Sequence, residues 1–349
     1  MRTYCQGMRS KAPAAALLAL SLAAACSGGS TKKAEPSPSP SPTASPTPSP
    51  TPAKPVVSTV DLLTGTSPRA TGPLVGIKVD NAVLARPYQR GLGRAVVVYE
   101  ELVEGGSTRL LAVFESDLAG PGEVGPIRSV RESDVDLVRE FGTLAVGFSG
   151  GNTGVKAIVH SAARKGWLVD ASYDAVPGAY RLGAQRRDAR NFFTVPSTLA
   201  KARPGSGPRD IGFRFGHVPV GGVPTVSAIA AYSGQTRVSV RYNASTGTWS
   251  IAQNGDVTNE AAPANIIVQR VVVHGSRFSD VHGMPTPFTQ TTGGGVVTVL
   301  RDGRRYAGTW KRSHYGATHY LDARGHDLLL RPGRTWVLLL PTSGSISFG

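Results

Sequence analysis

A layered α/β domain followed by a smaller, β-rich, mostly antiparallel domain is the fold this sequence predicts. Three observations lead to it. From Leu74 to Arg164, apolar runs of strand length alternate with glycine loops and helical stretches, which is the alternation of an α/β layered domain. From about Val223 the pattern changes to short apolar runs separated by glycines and by Asn-Gly or Asp-Gly pairs, which points to antiparallel β-structure. Ahead of both lies a proline-rich tract that cannot bury a core. The expected divisions are a lipoprotein-type signal peptide over 1–25, a lipid-bearing cysteine and linker over 26–58, the α/β domain over 59–215 and the β-rich domain over 223–345.

The N-terminus is a targeting signal. Arg2, Arg9 and Lys11 precede an apolar run from Ala12 to Ala25, too short to span a membrane. The run ends Leu22-Ala23-Ala24-Ala25-Cys26, and small residues just before a cysteine fit a bacterial lipoprotein signal whose cysteine carries the lipid. The alternative is an ordinary secretory signal cut near Ala25. Cys5 and Cys26 are the only cysteines, so the mature domains hold no thiol for a disulfide, a metal or a nucleophile. Between Pro36 and Pro55, proline alternates with Ser, Thr and Ala. Such a tract favours extended polyproline II and, at roughly 3.1 Å per residue, reaches on the order of 100 Å from its anchor.

The net charge is +15. Signal and linker carry a minor part of it, and residues 59–349 keep +10. A basic extracytoplasmic protein meets anionic lipid headgroups and wall polymers. Nucleic acid is excluded as a partner, because the basic residues are scattered and no aromatic-interleaved strand or recognition helix accompanies them.

The elements follow in order. Leu74–Val79 reads as a buried strand ending at Asp80-Asn81, and Arg86-Pro87 turns the chain. Ala95–Tyr99 is a second strand running into Glu100, and Gly105-Gly106 is a turn. Leu110–Glu115 is a third strand, and Gly120–Gly125 is a loop. Ser129 or Ser133 caps a helix to about Phe141, with Asp134 and Asp136 early and Arg139 late, as the helix dipole favours. Leu144–Phe148 is a fourth strand, followed by Ser149-Gly150-Gly151-Asn152 and a helix over Thr153–Arg164. Val195–Ala202 is a short helix with Pro196 in its first turn, after a polar loop at Asp188–Phe193. Eight β candidates come next: 225–232, 238–242, 249–252, 266–273, 296–300, 307–311, 318–321 and 336–340. Asn254-Gly255, Gly293–Gly295 and Asp302-Gly303 punctuate them.

Quoted as they stand, VDNAVLARPYQRGL, VVYEELVEGGSTRLLAVFES, GEVGPIRSVR, FSGGNTG and the late THYLDARGHDLLLRPGRTWVLLLP resemble the YerB-like bacterial lipoproteins, a family built on a domain of unknown function with N- and C-terminal parts. The resemblance covers nearly all of residues 70–345. It implies a lipid-anchored extracytoplasmic protein with an α/β first domain and a smaller β-rich second one, and it implies no known activity. Two departures stand out. Arg190-Asn191 and Phe193 replace the family's His-Asn and Tyr, and the stretch at 253–259 is shorter than the family's hairpin.

The candidate site gathers at expected strand ends, where α/β sheets bind ligands. Asp80, Asn81, Arg86, Glu100, Glu104, Arg109, Arg128, Ser129 and Arg131 form one group. Gly150, Gly151 and Asn152, opening a helix, form another. Two readings stand. In one, Arg109, Arg128 and Arg131 grip a carboxylate or phosphate bidentately. In the other, Arg109 and Arg128 neutralise Asp80 and Glu100 within the fold. A catalytic role would fall to Glu100 or Glu104 as acid–base group.

No nucleophile elbow orders Ser129, a histidine and an acid, and His160 is late in a helix. The other histidines lack metal-ligand spacing. Trp249, Trp310 and Trp336 read as β-core rather than sugar platforms. Neither a cofactor nor a metal is called for. The expected partners are the membrane, through lipid on Cys26, and an anionic wall polymer or a membrane protein.

Overall fold

The fold is described for residues 59–183, 191–258, 260–280 and 283–349 of a computed structural model. The signal peptide, Cys5, Cys26, the linker and the Asp188–Arg190 part of the polar loop lie outside the described residues.

The first half is built on three long, adjacent strands. β1 (Leu74–Asp80) is buried at all seven positions, which is why it reads as a continuous apolar run. β2 (Val97–Leu102) and β3 (Thr108–Glu115) form a hairpin with Val97 opposite Val113 and Glu101 opposite Arg109. Gly105 and Gly106 turn it at φ 65° and 71°, backbone that favours glycine. β3 also pairs antiparallel with β1, setting Asp80 opposite Arg109. β4 (Val124–Ile127) meets the end of β1 at Val79.

α1 (Glu132–Val138) follows. Its N-cap is Arg131, not Ser129 or Ser133, because Asp134 Oδ2 reaches back to accept the Arg131 N–H at 2.7 Å. β5 (Leu144–Gly147) runs parallel to β1. α2 (Thr153–Arg164) has the bounds its pattern predicts, buries Val155, Val159 and Ala162 on one face, and leads into β6 (Leu168–Asp170), parallel to β5. β7 (Tyr180–Leu182), β8 (Phe192–Thr194) and α3 (Pro196–Ala202) complete this half.

Among the described residues, the regular elements of the second half are strands. β9 (Val223–Pro224) precedes β10 (Ser227–Ala231), β11 (Arg237–Asn243), β12 (Thr248–Gln253) and β13 (Asp256–Val257), a meander. β14 (Asn265–Val271) is followed by a two-stranded ribbon of β15 (Val273–Ser279) and β16 (Pro285–Thr289). β17 (Gly293–Arg301) and β18 (Arg304–Arg312) form a hairpin around Asp302-Gly303, both at positive φ. β19 (His319–Leu321), β20 (Thr335–Pro341) and β21 (Ser345–Phe348) end the chain.

Gly293–Gly295 are not a break between strands. They lie within β17, opposite Arg312, Lys311 and Trp310. A Cβ on Gly295 would come within 2.8 Å of Arg270 O and 2.7 Å of Trp310 Nε1, so glycine lets the indole reach that carbonyl and donate to it at 2.9 Å.

One sheet runs through both halves in the order β19-β18-β17-β14-β20-β2-β3-β1-β4-β8-β7, with β5 and β6 continuing from β1. β20 is the join, parallel to β2 on one side and to β14 on the other. One face of this sheet packs on α1 and α2 through Tyr99, Leu111, Val135 and Val155. The other packs on the five-stranded sheet β13-β12-β11-β10-β21 through Val98, Ala112, Tyr232 and Trp249.

The clear α/β layering expected of the first domain does not form, and the fold is rich in sheet instead. Strand–loop–helix alternation holds only around β5-α2-β6. β1, β2, β3 and β4 pair antiparallel with one another, and antiparallel pairs need no helical crossover.

Candidate functional site

Strand parity sorts the charged residues onto two faces. Side chains alternate along a strand, so Lys78 and Asp80 of β1, Glu101 of β2 and Arg109 of β3 share the face that packs on the helices. Glu100 points the other way.

On the helix side, Lys78 Nζ donates to Glu101 Oε1 at 2.6 Å and to Asp134 Oδ1 at 2.8 Å, and Ser133 Oγ donates to Glu101 Oε2 at 2.8 Å. All four residues are buried. Burial pushes Glu101 up, but the Lys78 ammonium and its hydrogen bonds outweigh that and hold the carboxyl below its usual value. Burial, with the Glu101 charge, pushes Asp134 up to about 6. One cation thus serves two acids.

At the open end of the same face, Asp80 is ion-paired with Arg109 and accepts from Arg128 Nε at 3.1 Å. Burial drives Arg109 down to about 10 against the pull of Asp80, with Arg131 and Arg128 adding repulsion. Arg131 donates to Glu104 Oε2 from Nη2 at 2.5 Å and from Nε at 3.2 Å, and Thr286 Oγ1 donates to Glu104 Oε1 at 2.8 Å. Burial pushes Glu104 up, but Arg131 outweighs it and keeps the group below the usual range.

Glu104, Arg109, Arg128, Arg131 and Thr286 line a cavity of about 650 Å³. Of the sequence candidates, Glu104, Arg109, Arg128, Ser129, Arg131, Gly151 and Asn152 all reach it. The first turn of α2 opens into it at Thr153. Asn152 Oδ1 accepts the Gly154 N–H at 2.8 Å, and its Nδ2 donates to Ser279 O of the ribbon at 2.8 Å. Gly154 admits the ribbon, since a Cβ there would lie 2.2 Å from the Phe278 ring.

The donors are not all used. Arg109 Nε is buried without a partner. Arg128, with a side chain 34% exposed, gives Nε to Asp80. Its terminal nitrogens have no hydrogen-bond acceptor among the described residues. A helix also leaves its first N–H groups without intrahelical acceptors.

Asp80, Asn81, Arg86, Glu100 and Gly150 do not line this cavity. Glu100 faces the five-stranded sheet, fully buried. It accepts from Thr108 Oγ1 at 2.8 Å, from Gln253 Nε2 at 2.8 and 2.9 Å, from Trp336 Nε1 at 3.2 Å and from Asn81 Nδ2 at 3.3 Å. Burial raises its pKa over the lowering by these donors. The neutralising network therefore forms for Asp80 but not for Glu100. Arg86 turns instead to the Asn81 and Gln253 carbonyls and to Asp256.

Sequence reasoning missed Ser279 and Thr286, which a ribbon brings to the cavity from 127 residues beyond Asn152 and 182 beyond Glu104. It also missed Gln253 and Trp336 around Glu100. No local pattern marks them. Lys78 was legible as a charge inside an apolar run, a buried-charge signal. Among the described residues, no cluster of three metal-ligating side chains occurs.

Residues 63–209 match the family described as protein of unknown function (DUF3048), N-terminal domain, and residues 228–337 match its C-terminal domain. The chain belongs to this family. A curated relative, "Putative lipoprotein YerB" of Bacillus subtilis (strain 168), is 37% identical over 117 residues. That alignment takes in 30% of this chain and 34% of the relative, about a third of its length. A crystal structure of the YerB protein from Bacillus subtilis has the same fold, with a TM-score of 0.68 at 23% identity, over 82% of this chain and 99% of that one. Both halves of the DUF3048 family are therefore present in this chain, joined through one sheet at β20.

Proposed function

We propose that the protein is a lipid-anchored cell-envelope module that binds an anionic ligand, a wall polymer fragment or an acidic segment of a membrane protein, without catalysing a reaction on it. The convergence of Arg109, Arg128 and Arg131 with the first turn of α2 on one cavity carries this reading. Guanidinium forks match carboxylate and phosphate oxygens, and a helix start adds N–H donors and a favourable dipole. The terminal nitrogens of Arg128, on a side chain 34% exposed and bonded only through Nε among the described residues, support a ligand beyond the internal ion pairs.

The envelope address rests on the small residues before Cys26, on the basic charge and on the lipoprotein name of the relative. No helix among the described residues is long and apolar enough to cross a membrane, so the lipid would be the anchor. Of the two acid–base candidates, Glu100 lines none of the cavities described, and Glu104 is held ionised by Arg131. Neither environment supports a general acid.

A thermal-shift screen of the protein against inorganic phosphate, teichoic-type polymer and peptidoglycan fragments tests the reading. A ligand at 100 times its Kd adds about 2.7 kcal/mol. The expected result is a stabilisation that survives physiological salt and disappears in Arg128→Ala. Loss of every shift at physiological salt would leave only weak surface electrostatics and retire the site.

A further inference from the structure

The two packed sheets differ in width. Side chains alternate along a strand, so Val296, Thr298 and Leu300 of β17 share the face that meets the five-stranded sheet. Leu300 is buried in the core between the sheets, which Ile346 and Phe348 of β21 also pack against. Val296, on the same face, is 59% exposed. The covering sheet stops at β21, while the sheet beneath runs on through β17 and β18. A cavity of about 490 Å³ lies there, with Val268, Arg270, Val272, Val296, Thr298 and Ile346 among its lining. Arg270 is the one charged residue that lines it, and its Nη2 already donates to Thr342 O and Gly344 O, each at 2.8 Å.

β21 borders this cavity with an open edge. Among the described residues it pairs with β10 and with no other strand. Gly349 and Ser227 exchange both backbone hydrogen bonds, at 2.9 and 3.0 Å. Hydrogen-bonded pairs alternate along an antiparallel ladder, so Ser347 and Ser345 are the next residues to bond β10, opposite Ile229 and Ala231. The N–H and C=O groups of Ile346 and Phe348 therefore point away from β10. None of the four has a hydrogen-bond partner among the described residues.

Sheet edges are commonly guarded by a charge, a proline or a bulge. The edge strands β6, β7 and β13 carry Asp170, Arg181 and Asp256. β21 reads Ser-Ile-Ser-Phe, without charge or proline, and keeps an unbroken register with β10.

We propose that this edge docks one extended peptide segment of a partner protein, added antiparallel to β21 as a sixth strand of the covering sheet. The edge itself selects the occupant. Extended backbone meets the free groups of Ile346 and Phe348 in turn, and its alternate side chains drop onto the apolar floor. A residue opposite Ile346 exchanges hydrogen bonds with it and shares its inward face, over Val268 and Val296. The segment therefore carries small β-branched apolar residues at alternate positions and no basic residue beside Arg270. A second copy offering its own β21 would bring its own β17 under the joined edge, where this β17 already lies, so the place suits a single strand. The arginine-lined cavity shares none of these residues.

Fluorescence anisotropy on the full chain tests the site with a labelled, end-blocked peptide, Ser-Val-Thr-Val-Thr-Val-Ser. Saturable binding is expected. N-methylation of the valines, whose N–H groups face β21 in this register, should weaken it about tenfold or more, and N-methylation of the threonines, whose N–H groups face outward, should change it less than about twofold. The scrambled peptide Ser-Thr-Val-Val-Val-Thr-Ser should bind about tenfold more weakly. Val296→Lys places a charge on the floor at an exposed position and should abolish binding, whereas Arg128→Ala should leave it unchanged. Ile346→Pro deletes an N–H that β10 does not use and should also abolish binding. Should that variant fail to fold, valine methylation decides the same point on the unaltered protein. No saturable binding of the alternating peptide, or binding indifferent to valine methylation or to Val296→Lys, would overturn the proposal. So would a dimer in sedimentation that Val296→Lys dissolves, since it would assign the edge to a second copy.

Discussion

The Trp336 indole N–H donates to Glu100 Oε2 at 3.2 Å across 236 residues of chain. Trp336 lies on the strand that joins the two halves of the sheet, and Glu100 is on the strand beside it. Every donor to this carboxyl is neutral, so the site suits an acceptor-only group. Trp336→Phe keeps most of the ring but deletes one donor to a buried carboxylate, and it should cost about 1–3 kcal/mol. The urea midpoint should fall while the m-value holds. An unchanged midpoint would mean that the bond adds nothing to the join.

Lys78 is the only cation bonded to Glu101 and Asp134 among the described residues. Replacing it by methionine strands two buried acids and should destabilise the fold by about 3–5 kcal/mol. Adding Glu101→Leu and Asp134→Asn removes the stranded charge and should recover much of that loss. Chemical denaturation of the single and triple variants at neutral pH measures both. A triple variant no better than the single would show that the network holds more than charge balance.

Glu115 makes stability fall as pH rises. Its folded pKa of about 9 lies above the ordinary 4.5, so the folded state binds the proton more tightly than the unfolded chain. The contribution is complete below about 4.5 and is lost progressively towards pH 9. Asp134, raised to about 6, acts in the same sense but is spent lower on the scale. Between pH 7 and 9, the wild-type midpoint should therefore drop, and Glu115→Gln should flatten that slope. Equal slopes in the two proteins would mean that Glu115 is already ionised at pH 7.

Arg139 is held between two rings, with its guanidinium carbon 3.7 Å from the Trp167 centroid and 3.8 Å from that of Tyr315. The stack ties the end of α1 to the loop after β18. Arg139→Ala should cost about 1–2 kcal/mol and change the tryptophan emission, since one face of Trp167 loses its cover. Arg139→Lys should recover part of the stability. Emission identical to wild type in Arg139→Ala would exclude the sandwich.

Much of the local structure was legible. The bounds of α2 followed from the Ser149-Gly150-Gly151-Asn152 turn ahead of a helical stretch, and the structure adds that Asn152 caps it and Val155, Val159 and Ala162 are its buried face. The turn at Asp302-Gly303 followed from the positive φ that hairpins demand and that these residues accept. The three tryptophans expected in the β-core are buried there. The convergence of Glu104, Arg109 and Arg128 was legible too, because they lie at or just beyond strand ends, whereas Arg131 arrives as the N-cap of α1. Glu100 was placed with them wrongly, although it is one residue from Glu101. Parity along β2 sends the two to opposite faces, and only knowing what covers each face tells which is which.

The sequence alone determined the family, the basic charge of the folded part, most strands and the three helices, since these depend on spacing and composition within short windows. Tertiary structure decided that β20 enters between β2 and β14, making one sheet of two sequence regions. It decided that a remote ribbon supplies Ser279 and Thr286 to the arginine-lined cavity, and that Asp61 meets Glu115. Pairing partners of a strand are set by which apolar faces can be buried together. The entropy of closing the loop between them grows only slowly with its length, so separation along the chain carries almost no information about contact.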